Sequence, residues 1–342
     1  MKKGTKKILL GSGIAAAAVA AAGTVSYAIT KSMVKVALDR EMPPNMKRAR
    51  MKVSGSKKKN DLYEKVQNST EKLENSNCET VEIKGYDGEK LVGHWHKSEN
   101  AKRVIIAMHG WRSSWAKDFG GIADFLYEND CSVLFAEQRG QNNSGGEYMT
   151  FGLMERYDCL DWVKWVNENI GTDTPIYLAG ISMGASTVLM AAGLELPENV
   201  HGIIADCGYT TPYDIWKHVA EKNLNMPYAM RGKLADNICK KKIQIGAKDY
   251  SCIDAMKQCT VPVIFIHGTD DRFVPIEMTY ENYKACIAPK RLLIVPGAAH
   301  GMSYWTDKEK YEKEIKSFWN DYDDYTVKKQ EDDCKNDIQR NV

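Results

Sequence analysis

From residue 79 onward the chain alternates between short β-branched or apolar runs and amphipathic segments of ten or more residues. No other feature limits its possible folds as strongly. The runs at 104–108, 132–136, 175–179, 202–205, 261–266 and 291–295 have the length and composition of strands. Between most of them lie the helical patterns 117–128, 153–169, 185–196 and 277–288, and the segment 307–322 closes the series. Ahead of these, 80–84 and 90–97 flank Tyr86-Asp87-Gly88, a hairpin signal. Alternation of this kind predicts an α/β fold, with a mostly parallel sheet covered by helices on both faces. The rhythm breaks between Gly208 and Thr260, where more residues intervene than a crossover needs. The expectation there is an inserted helical cap, at about 209–259.

The formal net charge of +2 conceals two unlike parts. Residues 1–60 hold eleven Lys and three Arg against Asp39 and Glu41, a charge of +12, which leaves −10 for residues 61–342. The acidic part gives no ground for a nucleic-acid partner. A hydrophobic fraction of 43% and a charged fraction of 27% are those of a globular protein, and exclude a collagen, a disordered chain and a polytopic membrane protein. In the basic arm, Lys2, Lys3, Lys6 and Lys7 precede an uncharged stretch from Ile8 to Thr30. Its length suits a single-pass membrane anchor, because about 20 residues cross a bilayer. Two other readings stand beside it: a signal peptide cleaved after Ser26-Tyr27-Ala28, giving a secreted product, and a surface helix. Lys31, Lys35 and Arg40 follow the stretch, so basic residues flank both ends and no orientation is indicated. The basic run 48–59 suits either anionic lipid headgroups or a solvated linker. The expected division is an arm at 1–60, a main domain at 61–325 and a polar tail at 326–342.

The nine cysteines are odd in number and show no Cys-x-x-Cys spacing. Several sit in apolar runs, as Cys131 does, and read as buried free thiols in a reducing setting. His94 and His96 form a lone His-x-His without the partners a zinc site needs. They read as surface residues of a strand, and no metal or organic cofactor is expected.

Chemistry concentrates at the ends of the strand runs. Gly180-Ile-Ser182-Met-Gly184 follows the run 175–179 and opens the helical pattern 185–196. A serine at such a turn is held strained with its Oγ exposed, while flanking glycines let the backbone turn without a clash. A serine hydroxyl needs a base, and the base an orienting acid. His300, in Gly297-Ala-Ala-His300-Gly301, lies after the run 291–295, at the strand end where open α/β sheets place their sites. His201 opens a strand and falls at the wrong end, and His218 lies in the cap. For the acid, Asp270 and Asp271 both follow the run 261–266, and Asp206 follows 202–205. The chain order Ser, Asp, His favours the former two. His109-Gly110-Trp111, after 104–108, can aim a backbone N–H at a developing oxyanion together with the N–H of Met183.

Taken together, these motifs resemble the α/β-hydrolase superfamily over about residues 79–325, and within it bacterial hydrolases with a basic, apolar N-terminus that are distantly similar to prolyl oligopeptidase-like and cinnamoyl esterase-like enzymes. In the family pattern His-Gly-x-x-Asp-x-x-Val-Pro the acid lies four residues after the His, which assigns it to Asp271 rather than Asp270. Relatives carry Asp-x-Arg-Gly-x-Gly-x-Ser where this chain has Glu137-Gln-Arg139-Gly140-Gln-Asn-Asn143-Ser144. That loop is structural in the family, so the change leaves the catalytic assignment alone.

The resemblance implies a serine hydrolase with Ser182 as nucleophile, His300 as base, Asp271 as acid, and the N–H groups of Trp111 and Met183 as oxyanion donors. Cap residues Tyr209, Tyr213, Trp216, Met226, Tyr228 and Met230 suit an apolar acyl or aryl group. The expected partner is therefore a small acyl substrate, with membrane lipid a second partner through the arm. A carboxylesterase for short acyl or aromatic esters comes first. A peptidase, amidase or thioesterase is the alternative, and a membrane-tethered binding module is the non-enzymatic one.

Overall fold

The computed structural model describes residues 23–42 and 61–324. Residues 8–22 of the expected anchor, the basic run 48–59 and the tail 326–342 lie outside the described residues. Among those described, no helix is long and apolar enough to cross a membrane.

Among the described residues, eight strands form one sheet: β1 (Glu79–Lys84), β2 (Lys90–His96), β3 (Arg103–Met108), β4 (Cys131–Glu137), β5 (Ile176–Ile181), β6 (Val200–Asp206), β7 (Val263–Gly268) and β8 (Lys290–Val295). Their spatial order is β1-β2-β4-β3-β5-β6-β7-β8. The β1–β2 hairpin and the β2–β4 pair are antiparallel, and every other pair is parallel. The α/β-hydrolase fold read from the sequence is the fold observed.

The continuous apolar runs have a simple cause. In β3, Val104, Ile106 and Met108 enter the core on one face while Ile105 and Ala107 enter the core on the other. A strand buried on both faces cannot alternate with polar residues. The edge strand β1 is mostly exposed and carries Glu79, Glu82 and Lys84, charges that discourage further strand pairing.

One face is covered by α5 (Glu155–Ile170), α6 (Met183–Ala191) and α10 (Ile276–Ala285), and by α1, residues 23–38. The other is covered by α2 (Asp61–Glu74), α3 (Trp115–Phe119), α4 (Ala123–Glu128) and α12 (Lys308–Tyr322), with the short α11 (Ser303–Thr306) beside them. Between β6 and β7 lie α7 (Pro212–His218), a π turn (Val219–Asn223), α8 (Ala229–Ile243) and α9 (Cys252–Met256).

Two differences from the sequence reading have clear causes. The expected helix 117–128 is two helices, α3 and α4, separated at Gly120-Gly121. A Cβ on Gly120 would meet Ser69 O at 2.6 Å, and one on Gly121 would meet the Trp305 ring at 2.5 Å. The break lets α2 and Trp305 approach closely. In addition, part of the expected arm is packed into the main body: Thr30, Val34 and Leu38 of α1 are 1%, 2% and 0% exposed.

The eight cysteines among the described residues are free, and seven are buried. Burial pushes the Cys131 thiol up to about 11 and Cys239 up to about 12. Both are neutral thiols near neutral pH.

Candidate active site

Ser182 stands between β5 and α6 with φ 57 and ψ −115. A non-glycine residue in this region carries strain of about 1–3 kcal/mol, so the surroundings must enforce it. They do so by close approach. A Cβ on Gly184 would lie 1.8 Å from Met108 O, and one on Gly180 would lie 2.2 Å from Gly184 O. The backbone N–H of Ser182 donates to Asp206 O at 2.9 Å, tying the turn to the neighbouring strand.

His300 and Asp271 reach this turn from the loops after β8 and β7. His300 Nε2 lies 2.9 Å from Ser182 Oγ, and His300 Nδ1 lies 2.7 Å from Asp271 Oδ2. An ionised carboxylate only accepts, so the proton sits on Nδ1. That leaves Nε2 as the acceptor for the serine hydroxyl. Asp271 Oδ1 accepts from the backbone N–H groups of Phe273 and Val274, both at 2.9 Å. Burial pushes the Asp271 carboxyl up, but hydrogen bonds from His267 and His300, the His300 charge and the Val274 N–H outweigh it. The net result holds Asp271 well below the ordinary carboxylate range.

The competing acids are placed otherwise. Asp270 is exposed and accepts from its neighbour Thr269 Oγ1. Asp206 is buried, accepts from Ser303 Oγ at 2.9 Å, and is shifted upward by desolvation. The structure therefore brings together Ser182, His300 and Asp271. Of the other histidines considered, His201 faces the Tyr322 carbonyl and His218 is on the cap near the Arg272 carbonyl.

Sequence reasoning missed His267 as part of this arrangement. It is fully buried, with Nε2 3.0 Å from Val274 O and 3.3 Å from Asp271 Oδ2, and Nδ1 2.7 Å from Thr279 Oγ1. Two acceptors facing Nε2 place the proton there, so the Thr279 hydroxyl donates to Nδ1. Its sequence signals were its place at the end of β7 and its position as the His of the pattern His-Gly-x-x-Asp-x-x-Val-Pro.

Trp111 and Met183 line the same cavity as Ser182. Met183 is the first residue of α6, so its N–H has no acceptor within the helix. The loop carrying Trp111 is held by Asp118, whose carboxylate accepts from Gly110 N at 2.7 Å and from Ser113 Oγ at 2.5 Å. His109 braces the same loop. Its Nδ1 donates to Gly110 O at 2.8 Å, and its Nε2 accepts from Gln138 N at 3.1 Å. Burial lowers the His109 pKa, in keeping with this neutral form.

The departure at Glu137 is matched within its own loop. Glu137 accepts from Asn143 N at 2.5 Å, from Asn143 Nδ2 at 3.0 Å and from His94 Nε2 at 2.8 Å. The longer acid and Asn143 thus satisfy each other, and Asn142, which stands in the second glycine position, takes a positive φ of 49. This corrects the reading of His94 and His96 as surface residues. Both are half-buried, with His94 stacked on Trp115 at 4.1 Å and His96 on Tyr127 at 3.7 Å.

A cavity of about 350 Å³ opens beside Ser182. The cap contributes Ile215, Trp216, Val219, Leu224, Met226 and Tyr228, and Phe151, Tyr209 and Phe273 add to an almost wholly apolar lining. Among the described residues, Cys207, Asp271 and His300 place potential ligand atoms within 4.8 Å of one another. Asp271 and His300 already share a hydrogen bond, and burial pushes the Cys207 thiol well up, which opposes the thiolate a metal requires.

A model of the prolyl oligopeptidase family matches residues 117–324. The uncharacterized protein YqkD of Bacillus subtilis (strain 168) is 26% identical over 270 residues, covering 79% of this chain and 87% of that one. Among solved structures, the esterase Pf2001 of Pyrococcus furiosus superposes with a TM-score of 0.60 at 21% identity, over 72% of this chain and 91% of that one. An acylaminoacyl peptidase of Pyrococcus horikoshii superposes with a TM-score of 0.57 at 16% identity, over 71% of this chain but 41% of that one.

Proposed function

Because this chain belongs to the prolyl oligopeptidase family and has the α/β-hydrolase fold of a serine hydrolase, we propose that it cleaves carboxylic esters whose acyl or aryl group fills the cavity beside Ser182. Ser182 Oγ attacks the ester carbonyl while His300 Nε2 takes its proton. Asp271 keeps His300 in the tautomer that can accept, and stabilises the imidazolium that forms. The N–H groups of Trp111 and Met183 stabilise the oxyanion, each worth about 3 kcal/mol in such a role. His300 then protonates the departing alcohol. Water, deprotonated by the same imidazole, releases the acid and restores the serine.

The observation that carries this reading is the hydrogen-bond chain Asp271–His300–Ser182 ending at an apolar cavity. At about 30 Å³ per heavy-atom-sized group, the cavity admits an acyl chain or ring system of roughly ten atoms. A peptide backbone needs paired donors and acceptors, which this lining scarcely offers. Esters are therefore preferred here over the peptide bonds that the family description suggests.

The test is hydrolysis of p-nitrophenyl esters from acetyl to dodecanoyl, alongside matched anilides and peptide amides. The expected outcome is faster turnover of esters, with an optimum at intermediate chain length and loss of all turnover in Ser182→Ala. Preferred cleavage of the amides, or an unchanged rate in Ser182→Ala, overturns the reading.

A further inference from the structure

We propose that α1, far from being only a tether, is the wall of the site that selects acyl length, with Met33 at its centre; this rests on reading Ser182 as the nucleophile. Ile29, Met33 and Ala37, spaced four residues apart on one side of the helix, line the same cavity as Ser182, together with cap residues such as Ile215 and Val219. Thr30 is buried at this wall, and its hydroxyl is turned back onto Ser26 O at 2.8 Å, which hides the polar group in an apolar setting. The opposite side of the helix is solvent-facing: Lys31 and Lys35 are exposed.

The way α1 ends shows that it is built into the domain. The last four carbonyls of a helix lack intrahelical partners and normally go to water or a cap. Here Lys35 O is taken by Asp39 N at 2.9 Å. The other three are taken by the main body. Arg112 Nη2 donates to Val36 O at 2.9 Å, Trp111 Nε1 to Ala37 O at 2.9 Å, and Met149 N to Leu38 O at 2.7 Å. Arg112 also donates to the carbonyls of Asp39 at 2.5 Å and Arg40 at 3.0 Å, so a guanidinium sits at the negative end of the helix dipole. A further link, Lys242 Nζ to Asp39 Oδ1 at 2.9 Å, fastens the same end to cap helix α8.

Trp111 and Arg112 belong to the loop whose backbone N–H is assigned to the oxyanion. The wall that meets the acyl chain and the donor that meets the carbonyl oxygen are therefore held by one set of bonds. Acyl length is read at a fixed distance from the reacting carbonyl, which is the geometry selectivity requires.

The test uses the full chain and two substitutions of opposite sense. Met33→Ala deepens the cavity and Met33→Trp fills it. The quantity measured is the ratio of kcat/KM for the octanoyl and acetyl p-nitrophenyl esters on one preparation, which cancels any difference in folded fraction. Pocket discrimination of a single methylene reaches roughly tenfold or more. The ratio is expected to rise several-fold in Met33→Ala and to fall about tenfold or more in Met33→Trp. Ratios that stay near the parent value in both, or move in the same direction, overturn the proposal. Fluorophosphonate labelling of the unaltered chain separates the two levels. If Ser182 labels and the ratios do not move, the wall alone is refuted. If Ser182 does not label, the reading beneath it falls as well.

Discussion

Replacing Asp271 with Asn keeps the shape of the side chain and changes one acceptor into a donor. The surroundings decide which. Oδ1 accepts two backbone N–H groups, from Phe273 and Val274, while Oδ2 faces His300 Nδ1. The amide oxygen will stay with the two backbone donors, since turning it would set an NH2 against both. The NH2 then points at His300 Nδ1 and forces the proton to Nε2, where it faces Ser182 Oγ. The imidazole can no longer accept the hydroxyl proton. A wrong tautomer of this kind costs about 10,000-fold in kcat, or about 5.4 kcal/mol at 1.36 kcal/mol per factor of ten. Stability should fall by only about 1–3 kcal/mol, because the two backbone bonds to Oδ1 survive without their charge and His267 Nε2–H keeps the Val274 carbonyl when it loses Oδ2. The assay is kcat on an octanoyl ester together with a urea melt, with Asp270→Asn and Asp206→Asn in parallel. Asp270→Asn should behave like the parent, since that side chain is exposed. If Asp271→Asn keeps a tenth or more of the rate, or if Asp206→Asn loses more, the assignment of the acid is wrong.

Further expectations follow from single contacts. Gly184→Ala places a Cβ 1.8 Å from Met108 O, and backbone cannot yield as a side chain can; a loss exceeding about 3 kcal/mol, or failure to fold, is expected by thermal melting, and a melting point equal to the parent's contradicts the close approach. Glu137→Ala strips the acceptor from Asn143 and from half-buried His94; a loss of about 2–4 kcal/mol in urea denaturation is expected, and a change under about 0.5 kcal/mol, the range of an ordinary surface substitution, refutes the role of that loop. The Asp271 carboxyl has a folded-state pKa held below its unfolded value, which is about 3.9. It therefore contributes stability that is fully present above that value and is lost as pH falls through it toward the folded pKa. Denaturation measured between pH 3 and pH 6 should show a shallower acid limb in Asp271→Asn than in the parent, and parallel limbs argue against the depressed pKa.

The parts of the fold that the sequence made legible are those where burial on both faces left no room for polar residues. Strands β3 and β5 are such cases, and so is the turn at Ser182, where two glycines are imposed by backbone contacts at about 2 Å. The break at Gly120-Gly121 was not legible, because its causes, Ser69 and Trp305, come from distant parts of the chain. Helix α2 escaped notice because it is strongly polar, and Leu73 is its one buried residue. The packing of the end of α1 onto the main body was not legible either, because an apolar run does not show what its residues will pack against. One partner there is Arg112, whose acceptors on Val36, Asp39 and Arg40 lie 72–76 positions earlier in the chain. For the acid, the residues left three candidates. The resemblance chose Asp271, and the hydrogen bond to His300 is made by that same residue.

The central claim is that Ser182 carries the acyl group. Brief mixing of the full chain with p-nitrophenyl octanoate, an acid quench and peptide mass mapping tests it most directly. The account predicts a burst of one p-nitrophenolate per chain and an octanoyl mass increment on the peptide bearing Ser182, with both absent in Ser182→Ala. A modified residue elsewhere, or steady turnover that persists in Ser182→Ala, would contradict it.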